Sequence, residues 1–213
     1  MYIADNILKH ESTCRDLGVK VDQKLSFTRY KCDIVAKVKQ RMSLLLRSFL
    51  TKDPTILMLG FKIYVLPIVD YCSPVWSPHY VKDIQLIESV QRQFTKRIPC
   101  LRNFSYPERL KFLNQVTLER RRLECDLIMC YKILHGLVSG TPESYGLVLS
   151  DRRSRGNSLK LSSELCKTNS RKYYFANRVC APWNALNDDI VLADNVKSFK
   201  RGLQNFNLDD FLS

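Results

Sequence analysis

Ile34-Val35-Ala36-Lys37-Val38-Lys39-Gln40-Arg41-Met42-Ser43-Leu44-Leu45-Leu46-Arg47-Ser48-Phe49 is the stretch on which the fold class turns. Ile34, Val38, Met42, Leu45 and Phe49 follow at steps of four, four, three and four, the spacing that lines one face of an α-helix. Lys31, Lys37, Lys39, Arg41 and Arg47 are expected over much of the remaining surface of that helix, which begins near Lys31. Upstream, residues 1–30 alternate weakly, and Leu17-Gly18-Val19-Lys20-Val21-Asp22 has the pattern of a short strand entered through a glycine.

Downstream, Asp53-Pro54 starts a second helix, with a carboxylate cap and a proline where no N–H is needed. It should run to about Leu66 and stop at Pro67. Asp70 to Pro78, with prolines at 74 and 78, is expected to be an ordered aromatic turn, not regular helix. Further helices are predicted over about Val81–Ile98, after Ser105-Tyr106-Pro107, from near Thr117 to Leu134 with a stop at Gly136, and around Val196, Phe199, Leu203 and Phe206. After Gly140 the apolar runs shorten, and Asp151 to Asn157 form a basic loop. The expected fold is mainly α: a short N-terminal β-hairpin, a helical bundle, then a small mixed α/β C-terminal region, divided as 1–30, 31–140 and 141–213.

The net charge is +13 over 213 residues. Like charges on one compact body repel, so such an excess points to an anionic partner, with nucleic acid ahead of an anionic membrane surface or acidic protein. It is concentrated: 31–52 carry six basic residues and one acidic, 91–125 nine and three, 150–178 eight and two. Concentration favours a binding surface over a merely solubilising coat. Ile56 to Val69, the longest apolar candidate, is interrupted by Gly60, Lys62 and Pro67 and falls short of the about 20 apolar residues a membrane span needs. Residues 1–15 lack a secretory pattern, so a cytoplasmic or nuclear protein with no membrane partner is expected.

Chemistry is poorly represented. The eight cysteines show no two-residue gap of a metal knuckle or redox site, and free thiols are expected. The adjacent carboxylates Asp188-Asp189 and Asp209-Asp210 sit near a helix end and the tail, where solvated surface is the ordinary role. His10, His79 and His135 are isolated in sequence, and no glycine-rich phosphate loop occurs. No catalytic, metal or cofactor site can be assembled, and no cofactor is expected. Glu119-Arg120-Arg121-Arg122 opens a helix with three arginines pointing in different directions, at least one of which should reach outward to phosphate. Tyr106 and Phe104, near Arg92, Lys96, Arg97, Arg102 and Arg109 in sequence, offer stacking surfaces.

Leu66-Pro67-Ile68-Val69-Asp70-Tyr71-Cys72-Ser73-Pro74-Val75-Trp76-Ser77-Pro78 and Leu86 to Ile98 resemble the region after the polymerase core of LINE-type (non-LTR, jockey-like) retrotransposon reverse transcriptases. Leu17-Gly18-Val19 with Leu25-Ser26-Phe27, Ser105 to Leu110, Leu118 to Arg122, Phe175 to Val179, Trp183-Asn184-Ala185-Leu186 and Phe199-Lys200 match in the same order. One departure is Asn187, where the family pattern has proline.

The resemblance implies end-of-palm strands over 1–30, a thumb-like helical bundle over 31–140 and a basic C-terminal region over 141–213. The polymerase's catalytic aspartates would lie upstream; Tyr2-Ile3-Ala4-Asp5 only superficially resembles that motif, since Asn6 follows. The chain is then expected to bind nucleic acid, as primer–template duplex or element RNA, and not to be an enzyme as it stands. Its expected phosphate contacts are Arg92, Lys96, Arg97, Arg120, Arg121 and Arg122, with Lys37 and Arg41 as a second group. The missing polymerase core is a further expected partner. The rival classes are a helical protein-interaction module with a basic surface and, behind it, a cysteine–histidine enzyme.

Overall fold

The computed structural model describes residues 2–3, 6–7, 11–150 and 157–213, the first two pairs by backbone alone. His10, Asp5 and most of the predicted basic loop, residues 151–156, lie outside the described residues. The chain is mainly α-helical, with an N-terminal β-hairpin and a small strand pair in the C-terminal region. The described strands pair two by two, all antiparallel: β1 (Tyr2–Ile3) with β2 (Asn6–Ile7), β3 (Thr13–Asp16) with β4 (Val19–Asp22), and β5 (Val148–Leu149) with β6 (Leu161–Ser162). Leu17 and Gly18, both at positive φ, make the two-residue turn between β3 and β4, the geometry that matches strand twist. Gly18 thus turns a hairpin and does not enter a strand. Tyr71 anchors this turn by donating its hydroxyl to the Leu17 carbonyl at 2.7 Å.

The helices follow in order: α1 (Thr28–Ser48), α2 (Pro54–Tyr64), α3 (Leu66–Asp70), α4 (Ser73–Trp76), α5 (Val81–Lys96), α6 (Tyr106–Phe112), α7 (Leu118–Leu134), α8 (Asn169–Lys172), α9 (Phe175–Ala185), α10 (Asp188–Val191) and α11 (Val196–Asn205). The Asp53 carboxylate caps α2 through the Thr55 and Ile56 amides, as predicted. Pro67 does not stop that helix. It sits in the first turn of α3, and Pro74 in the first turn of α4, positions where proline loses no hydrogen bond. The expected aromatic turn is therefore two short helices broken at Cys72, which has positive φ. Trp76 is buried there and donates its indole N–H to the Tyr71 carbonyl at 2.8 Å. Asn187 holds φ −66°, a value that proline also adopts.

Two apolar cores result. The first gathers α1, α2, α3, α4 and α5 around Val38, Met42, Phe61, Trp76 and Phe94. Gly60 lets α2 lie close on α1, since a Cβ there would meet Leu45 at 2.9 Å. The second gathers the later part of α7 with α9 and α11 around Leu127, Tyr131, Trp183 and Phe199. Asn184 clamps β6 to it, accepting from the Leu161 N–H and donating to the Leu161 carbonyl, both at 2.8 Å. Leu118 at the head of α7 packs in the first core and Leu127 in the second, so this one helix serves both.

Lys31 corrects the expectation of a surface cation. It is 2% exposed and pairs with Asp83 of α5 at 2.6 Å. It falls one turn before Ile34 and Val35, in line with the apolar stripe, so helical periodicity puts it inward despite its charge. Replacing Lys31 by Met is expected to cost about 3–5 kcal/mol, because Asp83 is left buried and unpaired. The Lys31→Met/Asp83→Leu double variant should recover most of that loss. Urea denaturation followed by circular dichroism measures both, and a single variant as stable as the parent would refute the assignment.

Candidate nucleic-acid interface

The Lys31–Asp83 pair joins the first turns of α1 and α5, while Arg47 and Arg97 at their far ends line one groove. The two helices therefore run side by side in the same direction and deliver their cationic last turns to one place. The groove has a volume of about 600 Å³ and is open to solvent. Lys52, from the loop after α1, joins Arg47 and Arg97 in its wall. Arg47 donates its Nε–H to the Ser43 carbonyl at 3.3 Å, which leaves its terminal nitrogens free of that bond. Lys96 is exposed on the turn beside Arg97. Lys37 and Arg41 are exposed on α1 but lie outside this groove.

The arginine triplet is placed differently from its expected outward role. Arg120, 16% exposed, bonds Glu124 at 3.1 Å and the carbonyls of Leu203 and Phe206 at 3.5 and 3.0 Å. Arg121 pairs with Asp70 at 2.7 Å. Arg122 is 2% exposed, with Glu88, Glu119, Asp126 and Asp70 supplying the surrounding negative charge. The prediction treated α7 as a helix with a free face. Instead α4, α5, α9 and α11 all pack on it, although the Arg121 side chain stays 40% exposed beside Asp70. The acidic partners downstream, Glu124 and Asp126, were the signal in the sequence.

Tyr106 is also engaged. Its hydroxyl donates to the buried Glu88 carboxylate, which accepts the Leu118 N–H at 2.9 Å as well. The Arg92 and Arg109 guanidinium groups stand 5.1 and 5.5 Å from its ring, so cations already attend that ring. Arg92 itself is exposed, Arg109 is buried, and Phe104 stays exposed.

A second concavity of about 450 Å³ opens where the two cores meet. Phe27, His79, Tyr145, Tyr173, Tyr174 and Phe175 contribute to its largely apolar wall. The His79 ring stacks on Tyr173 at 4.2 Å and 7°, leans on Tyr80 at 4.1 Å, and its Nε2 is buried without a hydrogen-bond partner. Sequence spacing alone does not single out His79, because the residues around the cavity come from positions 21 to 178.

The components of a cysteine–histidine pair are separated. Among the described residues His135 bonds the Val191 carbonyl at 2.9 Å and stacks on Tyr131, and no hydrogen bond joins a histidine to a cysteine. Burial pushes the Cys125 thiol up to about 11 and raises Cys130 and Cys180 too, which disfavours their thiolates. Among the described residues no group of three or more His, Cys, Asp or Glu is placed to hold a metal ion, and no helix is long and apolar enough to cross a membrane.

Burial, then the nearby charges of Lys31 and Arg178, hold the His79 pKa below its usual value, against an opposing pull from Asp83. A histidine depressed in the folded state contributes stability fully above its unfolded value, about 6.5, and loses it as pH falls through that value toward the folded one. Acidification from about pH 7.5 to 5.5 is thus expected to lower the Tm of the parent more than that of His79→Gln. Equal shifts in the two would contradict the depressed pKa.

Neither a protein-family model nor a solved structure matches the chain. An uncharacterized protein of Caenorhabditis elegans is 26% identical to it over 128 residues, which make up 59% of this chain and 63% of that protein. The chain thus matches less than two thirds of that relative's length.

Proposed function

We propose that this chain is a non-catalytic nucleic-acid-binding module, similar to the thumb and C-terminal region of a LINE-type reverse transcriptase, that holds a primer–template duplex or element RNA by its phosphates. One observation carries the proposal: Arg47, Lys52 and Arg97, drawn from two basic segments far apart in sequence, line one open groove. Lys96 extends that cationic edge, and Arg92 adds an exposed guanidinium one turn earlier. Cations brought together from separate segments suit the repeating charge of a backbone better than a single point charge. Of the residues expected from sequence, Arg92, Lys96 and Arg97 are retained as phosphate contacts, Lys37 and Arg41 as flanking ones, and Arg120 to Arg122 are given structural roles.

Recognition of this kind is independent of sequence and steeply dependent on salt. For a labelled RNA–DNA hairpin, fluorescence anisotropy should show affinity falling by orders of magnitude between about 50 and 200 mM salt. The Arg47→Gln/Lys52→Gln/Arg97→Gln variant should flatten the slope of log affinity against log salt by about two to three. Parent binding that stays level across that range would sink the proposal.

A second reading has its own support. Ile56, Leu59 and Ile63 form an exposed apolar stripe along α2, next to the groove, which favours a protein partner with an acidic rim. Competition between the hairpin and a polyanionic peptide of equal charge separates the two. The nucleic-acid reading expects the hairpin to win clearly.

A further inference from the structure

We propose that the aromatic cavity between the two cores receives an unpaired base of a single-stranded nucleic-acid segment. The inference rests on the nucleic-acid reading and deepens it, adding a base-stacking site to the phosphate groove. The cavity is within the size range of small-ligand sites, and four separate parts of the chain supply the aromatic residues of its wall. The loop after β4 brings Phe27, the turn after α4 brings His79, the turn before β5 brings Tyr145, and the α8–α9 junction brings Tyr173, Tyr174 and Phe175.

The charge of the wall selects the occupant. Lys31 and Arg178 both line the cavity, but Asp83 and Asp126 neutralise them. The interior therefore offers aromatic surface without net charge, which suits a flat neutral ring. His79 lines the cavity with its ring stacked on Tyr173, and its Nε2 has no hydrogen-bond partner within the protein. Exposed lysines stand close by. Lys172 Nζ lies 5.4 Å from the Tyr173 ring and Lys82 Nζ 5.7 Å from the Tyr80 ring. Neutral aromatic walls inside and ammonium groups at the edge match a nucleotide whose base is buried and whose phosphates remain in water. An aliphatic side chain would make no use of the ammonium groups.

The test compares three forms of one duplex on the full chain: blunt, with a short single-stranded overhang, and with the same overhang made abasic. The overhang is expected to tighten binding by roughly tenfold, within the range one base–aromatic stack provides, and the abasic form to lose that gain. A 2-aminopurine in the overhang should be quenched on binding. Tyr173→Ala and Tyr174→Ala should each reduce the gain while the blunt duplex binds as before. The abasic comparison needs no altered protein, so a poorly folding variant does not blunt it.

Blunt and overhang forms that bind alike with steep salt dependence would overturn the base site and leave the phosphate groove standing. No binding of the blunt duplex would overturn the groove, and a base-dependent affinity for the free single strand would then still uphold the cavity. Competition by N-acetyl-tyrosinamide but not by a mononucleotide would assign the cavity to a protein side chain and overturn the proposal.

Discussion

Arg178 joins the two cores, and the remainder of the structure depends on that junction. Its Nε and Nη2 donate to the two carboxylate oxygens of Asp126 at 2.8 and 2.9 Å, its Nη1 to the Tyr173 carbonyl at 3.0 Å, and its Nη2 also to the Pro74 carbonyl at 2.6 Å. A buried guanidinium is costly to dehydrate, and only a nearly full set of partners offsets the cost. Here those partners come from α4, α7 and the turn before α9. One side chain on α9 thereby fixes the positions of all three. The aromatic residues just before it, Tyr173, Tyr174 and Phe175, inherit their placement from it, and so does the cavity they line.

The same logic sorts the basic residues of the middle of the chain. Arg109, Arg120, Arg121, Arg122 and Arg178 are taken into the protein with carboxylates, carbonyls or an aromatic ring around them. At Arg120 and Arg178 the planar fork serves several acceptors at once, whereas Arg109 Nε and both terminal nitrogens of Arg122 are buried without a hydrogen-bond partner. Lys37, Arg41, Arg47, Lys52, Arg92, Lys96, Arg97 and Lys172 remain exposed. A charge excess counted along the sequence mixes both populations, which is why residues 91–125 looked more like a binding segment than the fold makes them.

Helix existence was legible because it is local. The stripe from Ile34 to Phe49, the Asp53 cap and the Gly136 stop each depend on residues within a few positions of one another. Proline roles near α3 and α4 were harder, since the same residue ends one helix or begins the next, and only packing of Trp76 decides. Lys31 and Arg122 look like surface residues because a charged residue normally is one; the partner of Lys31 lies 52 residues away, and the acidic groups around Arg122 come from α3 and α5 as well as its own helix. Of the candidate interface, the exposed members on α5 were named from sequence, whereas their meeting with Lys52 follows from the parallel course of α1 and α5. Trp76, Arg178, Trp183 and Asn184, all in motifs quoted from the sequence, hold the fold together.

Pairing arginines with internal carboxylates does not dilute the charge available to a partner. Each internal ion pair removes one cation and one anion from the surface together, so the excess of +13 is untouched by pairing. A paired Arg121 or Arg178 uses up an acidic residue that would otherwise screen the exposed lysines and arginines. The surface that remains is accordingly richer in uncompensated cations than the bulk composition, and the open groove between Arg47, Lys52 and Arg97 is where that surplus becomes concave. The aromatic cavity has the opposite character because its two cations are paired. Internal pairing thus creates two chemically distinct concavities on one basic chain, one suited to a charged backbone and one to an uncharged ring.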